Sequence, residues 1–204
     1  MKDKIMKKIA LITSLASAGF VGAASAQELV AAWDFVYPDS FGGLDIDGDF
    51  AADTSAPATF GDTTATFSWI GMGTGGGLSN GANLEQNQQV GALDSLGDGF
   101  GWVVDGNSSA SATLDISVDL SAFESGTAEL TFAAGSQNGS VTLQVATVGS
   151  VSETISLSES VSVPSIDISS LAGNADATVR FAFADFEAAT VNAVIDNIQV
   201  VATE

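Results

Sequence analysis

The sequence predicts an all-β protein: an antiparallel β-sandwich, jelly-roll-like, with about ten strands. Three observations predict it. Apolar and polar residues alternate at period two through much of residues 27–204. The alternating runs are short and bounded by Gly, Ser, Asn and Asp. Helix-period patterning is nearly absent after residue 26.

Residues 1–26 stand outside this pattern and are expected to be an export signal. Lys2, Lys4, Lys7 and Lys8 precede an apolar run from Ile9 to Val21, and Ala24-Ser25-Ala26 forms a small-residue cleavage site. Thr13, Ser14, Ser17 and Gly19 interrupt the run, which falls short of the roughly 20 apolar residues a membrane span needs. Cleavage after Ala26 would leave one domain, residues 27–204, with no later segment suited to membrane insertion. The expected location is therefore outside the cell or at its surface.

Within that domain the clearest strand is SATLDISVDL, with Ala112, Leu114, Ile116, Val118 and Leu120 on one face and Thr113, Asp115, Ser117 and Asp119 on the other. TAELTFAA repeats the alternation, with Leu130 and Phe132 inward and Glu129 and Thr131 outward. Asn138-Gly139 signals a hairpin into SVTLQVAT, because both residues tolerate positive φ. Further strands are expected at 29–36, 63–70, 101–104, 153–157, 161–168, 178–183 and 194–201, and a short helical turn at 169–175. GMGTGGGLSNGAN at 71–83 is too glycine-rich for a strand and reads as a surface loop.

Composition removes whole classes of chemistry. The chain has 5 Lys and Arg against 25 Asp and Glu, a formal charge of −20. Loss of residues 1–26 would take away four lysines and Asp3, leaving Arg180 against 24 acids, or −23. Such a field repels phosphate backbones, so nucleic acid is not an expected partner, and it attracts divalent cations. With no Cys and no His, disulfides, thiol chemistry, triads and imidazole metal sites are all absent. A carboxylate pair would remain for glycoside hydrolysis. However, Glu85, Glu124, Glu129, Glu153, Glu159 and Glu187 are scattered and read as solvated surface acids. No enzymatic activity is expected.

The C-terminal AVIDNIQVVATE resembles the last strand of secreted bacterial β-sandwich domains found in PEP-CTERM-type exported proteins, and ELVAAWDF resembles their first mature strand. Similar last strands occur in jelly-roll carbohydrate-binding modules. The sequence departs from the first group after Val201: no Pro-Glu-Pro, membrane helix or basic tail follows, so sorting by that route is not expected. The resemblance implies a β-sandwich that binds extracellular carbohydrate. It also implies a structural calcium joining Glu28 or Asp34 near the first strand to Asp196 on the last.

Two further candidate sites come from the residues themselves. Sugar-binding faces use exposed flat aromatics with polar neighbours. Trp33 and Trp69 fall within apolar strand patterns and read as core. Tyr37, at a strand end before Pro38, and Trp102, in GFGWVVDGN, have either a packing role or a sugar-facing one; in the second case Asp105 and Asn107 join Trp102. GLDIDGDFAAD places Asp45, Asp47, Asp49 and Asp53 at calcium-loop spacing. Phe50 stands where that loop needs its glycine, and Ala56 where it needs its closing acid. A hairpin turning at Asp47-Gly48, with an optional weak calcium site, fits better. The expected partners are an extracellular polysaccharide or matrix. The alternative is self-association as a filament or matrix subunit, with the segment from Gln27 to Val36 as a strand donated to a neighbour.

Overall fold

The computed structural model describes residues 27–33, 55–70, 77–80, 100–106, 112–123, 126–147 and 150–204. They form two sheets of antiparallel strands. Sheet A has seven strands: β1 (Glu28–Trp33), β3 (Phe60–Gly61), β5 (Gly77–Asn80), β6 (Phe100–Asp105), β8 (Thr127–Gln137), β11 (Ser165–Asp167) and β13 (Asn192–Thr203), with β11-β8-β13-β1-β3 as the main order. Sheet B has six: β10 (Ser150–Leu157), β9 (Val141–Thr147), β12 (Ala177–Ala184), β7 (Thr113–Val118), β4 (Thr66–Ile70) and β2 (Ser55–Pro57), in that spatial order. Among the described residues there is no α-helix. The expected turn after β11 is a single 3-10 turn at Ser169–Leu171.

Alternation explains which residues fill the space between the sheets. Leu114, Ile116, Leu130, Phe132, Leu143, Val145 and Phe181 are all fully buried, and Phe132 meets Phe181 across the interface with ring centroids 4.6 Å apart. Each such side chain contributes about 1.5–3 kcal/mol on leaving water. The β8–β9 hairpin turns as its sequence requires, with Asn138 at φ 63° and Gly139 at φ 141°.

β13 organises sheet A. One edge pairs with β8 along most of its length. The other pairs first with β6, from Asn192 opposite Asp105 to Ile195 opposite Trp102, and then with β1, from Ile198 opposite Trp33 to Ala202 opposite Glu28. Asp196 and Asn197 fall at the change of partner, where the register with β8 also slips between Asp196 and Gln199. Asn197 takes a left-handed φ of 47° there, which Asn tolerates better than most residues.

Several expectations need correction. The glycine-rich stretch is not all loop: Gly77–Asn80 pairs with β6 as β5, because a neighbouring strand can order a segment of low intrinsic propensity. The strand expected over 161–168 is only Ser165–Asp167, since Pro164 has no N–H to give the ladder; Ser162 makes an isolated bridge to Ala134. Residues 63–65 turn instead of extending, held by Asp62, whose carboxylate accepts from Thr64 N–H at 2.9 Å. β1 lies between β13 and β3 of its own chain, the ordinary first-strand position that stands against strand donation.

The junction of β8 and β13 has no room for a side chain at Gly126, where a Cβ would lie 1.6 Å from the Thr203 carbonyl oxygen. Gly126→Ala is expected to force these strand ends apart and cost about 1–3 kcal/mol. Urea unfolding should show a lower midpoint at constant slope; an unchanged midpoint would mean that this end of β13 contributes nothing to stability.

Candidate functional site

Tyr37, Asn107, Asp34, Asp45, Asp47, Asp49 and Asp53 lie outside the described residues. Trp102 does not reach solvent. It is 1% exposed, its ring 4.4 Å from that of Trp69 and edge-on to Phe67 at 5.1 Å. This corrects the sugar-facing reading: the flanking glycines do not turn the ring outward, because β6 is an ordinary strand whose Trp102 and Val104 face the core. Asp105 is half-buried opposite Asn192. By alternation it faces away from the core, on the other side of sheet A from the Trp102 ring. The two do not form one site.

The outer face of sheet A instead carries an open groove of about 330 Å³ at the Thr203 end of β13. β8 supplies Thr127 and Glu129, β11 and the turn after it supply Ser165, Asp167 and Ser169, and β13 supplies Val201 and Thr203. Antiparallel register brings them together: Glu129 stands opposite Asp167 on one side and Val201 on the other. Hydrogen bonds fix the polar side chains. Ser165 Oγ donates to Glu129 Oε1. The Thr127 and Thr203 hydroxyls share a bond of 2.6 Å, and Ser169 N–H donates to Asp167 Oδ1 at 2.9 Å. The Ser169 side chain, and next its backbone N–H, hold the Asp167 carboxyl below the ordinary value of 3.8. On the neighbouring strand Leu29, opposite Val201, is 37% exposed and extends the apolar part of the surface.

Chemically, the groove offers carboxylate acceptors, hydroxyls that both donate and accept, and one apolar side chain, Val201. That set can hydrogen-bond a polyhydroxylated ligand. Ser169 holds Asp167 ionised near neutral pH, the opposite of what an acid catalyst needs from that residue. Sequence reading had placed Glu129 outward as a surface acid. What it lacked was the neighbour: nothing in either strand states that Asp167 pairs across from Glu129.

The second feature is the change of partner on β13. By register with Ala133, Asp196 belongs to the face of sheet A away from the core, yet it is only 5% exposed, and its Oδ1 accepts from Asn197 N–H at 2.8 Å. Asn197 is 2% exposed, and its Oδ1 has no hydrogen-bond partner among the described residues. A buried oxygen in that condition costs on the order of 1–3 kcal/mol unless something supplies positive charge or a donor. Glu28 does not adjoin this spot. It stands opposite Ala202, at the far end of the β1–β13 ladder, which removes it as a joint ligand with Asp196. Among the described residues no three acidic side chains cluster as a cation site.

No protein-family model matches the chain, and no curated protein matches it. Among solved structures, its neighbours are jelly-roll carbohydrate-binding modules. The CBM22-1 xylan-binding domain of Paenibacillus barcinonensis Xyn10C is 12% identical, with 89% of this chain and 99% of that one covered at a TM-score of 0.47. A CBM36 module in complex with calcium and xylotriose is 14% identical, with 60% and 98% covered at 0.37. TmCBM61 in complex with β-1,4-galactotriose is 13% identical, with 66% and 86% covered at 0.39. These similarities concern architecture; no residue of a sugar or calcium site carries over from them.

Proposed function

We propose that this protein is an exported, non-catalytic β-sandwich that binds extracellular carbohydrate or matrix polysaccharide, with calcium as a structural ion. The observation that carries the carbohydrate reading is the groove on sheet A, where two carboxylates and four hydroxyls, held by hydrogen bonds, stand around Val201. Pockets for small ligands begin at about 300 Å³, so the groove would hold a short stretch of a chain rather than a long one. Export rests on the residue pattern of 1–26.

Electrophoresis through gels containing individual soluble polysaccharides tests the binding. At least one polysaccharide is expected to retard the protein relative to a glycan-free gel. Glu129→Gln combined with Asp167→Asn should weaken that retention by roughly 10-fold or more, because each carboxylate bond contributes about 1.5–3 kcal/mol. Since Asp167 is held below its ordinary value, its own contribution to retention should persist through mild acid and be lost as pH falls through that lowered value. Free passage through every gel would refute carbohydrate binding. Release of reducing ends from the retained polysaccharide would refute the non-catalytic part alone.

The calcium reading is supported by donor chemistry at the β13 partner change. The Asp196 carboxylate and the Asn197 side-chain oxygen are hard oxygen donors on consecutive buried residues, and calcium takes 6–8 such ligands. These two residues would hold it, with Asp34 as the first-strand acid that the family resemblance implies. The ion would offset the buried carboxylate's charge and satisfy the Asn197 oxygen.

A further inference from the structure

The outer face of sheet B, on the opposite side of the sandwich from the groove, differs in charge from the rest of the molecule. It is made by every second residue of its strands. Ser68, Asp115, Arg180 and Ala146 form one row in register, and Thr113 and Ala182 part of the next. All are exposed or half-buried, and all but Arg180 are short, so the face is open and flat. Its central charges are Asp115 and Arg180, which join in a bidentate pair, Nε to Oδ1 at 2.6 Å and Nη2 to Oδ2 at 2.5 Å. On a chain of formal charge −20 the central rows of this face, through Thr113, Asp115 and Ser117, are neutral, with the acids Asp119 and Asp176 at its far end, and they contain the sole Lys or Arg of residues 27–204. Ile70, 66% exposed, projects from the same face opposite Thr113.

We infer that this face is a self-association surface and that its partner is a second copy of the chain. Two acidic molecules repel over most of their surfaces, and a neutral face lets them approach without opposing like charges. A two-fold arrangement fits it. The Arg180 side chain is 53% exposed and that of its Asp115 partner 19%. Arg180 has five N–H donors of which two are spent, so it can also donate to Asp115 of the second copy while its own Asp115 accepts in return. The outcome is a closed ring of two guanidinium and two carboxylate groups. Contact across the face would also cover Ile70. Six strands about 4.8 Å apart, with some five residues of about 3.3 Å each, offer roughly 400 Å² per copy. Stable complexes bury about 800 Å² per partner, so the dimer is weak and concentration-dependent.

Sedimentation velocity of the full chain in EDTA, from about 1 µM to about 1 mM, tests this, since weak dimers dissociate within that range. Wild type is expected to shift from monomer to dimer. Arg180→Glu and Asp115→Arg should each weaken self-association at least 10-fold, the first by making the face acidic and the second by making it basic. An equimolar mixture of these two variants should dimerise again, as a heterodimer. If either variant fails the near-ultraviolet circular dichroism check for native packing, Ala182→Glu places an acid on the same face without breaking the ion pair. A wild type that stays monomeric throughout overturns the inference. So does a dimer that persists in Arg180→Glu and Ala182→Glu, or one that forms only without EDTA, which would be cation bridging elsewhere.

Discussion

Trp102→Ala is expected to lower the free energy of unfolding by about 3–5 kcal/mol, the range for deleting a large aromatic from a packed core. The ring is 1% exposed and touches both Trp69 and Phe67, so its removal opens a cavity where three aromatics meet between the sheets. Against a total stability of about 5–15 kcal/mol this is a large fraction. At roughly 2–4 °C per kcal/mol for a domain this size, the melting temperature should fall by some 6–20 °C. Urea unfolding followed by circular dichroism gives the value. The contrast with a ligand role is sharp. A tryptophan that faces sugar would leave stability unchanged and abolish polysaccharide retention, and that pair of results would return Trp102 to the binding site.

Calcium is expected to stabilise the protein through Asp196. A ligand that binds only the folded state adds about 2.7 kcal/mol when present at 100 times its dissociation constant. Asp196→Asn should abolish most of that gain, because it removes the buried negative charge that would draw the ion to this turn of β13. Asp47→Asn with Asp49→Asn is the companion variant, directed at the acidic stretch 45–53. If the stabilising ion sits on β13, this pair leaves the thermal shift intact and removes only weaker calcium uptake seen by calorimetry. A calcium-induced rise that survives Asp196→Asn would move the structural ion elsewhere, and no rise in either protein would remove it.

The two predictions separate what one strand can reveal from what it cannot. The inward row of SATLDISVDL, from Ala112 to Leu120, was readable because each strand residue points opposite to the next, and burial of that row follows from its own pattern. The Asn138-Gly139 turn was readable because left-handed backbone is a property of those two residues. Trp102 keeps two readings in the sequence, packing and sugar-facing, for a matching reason, and burial decides for packing. Its glycine neighbours describe the freedom of an isolated segment, and pairing with both β5 and β13 removes that freedom.

The same division holds for function. The sequence by itself determined the all-β class, the inward and outward faces of strands such as β7 and β9, and the absence of imidazole, thiol and disulfide chemistry. These are local or compositional properties, carried by each residue wherever the chain goes. Only the tertiary structure decided that Glu129 stands opposite Asp167, that Asp196 is buried where β13 exchanges β6 for β1, and that Arg180 meets Asp115 from 65 positions away. Such pairings are set by the order and register of strands, and period-two alternation looks the same on β7, β9 and β12. It says which side a residue faces and never which strand lies beside it.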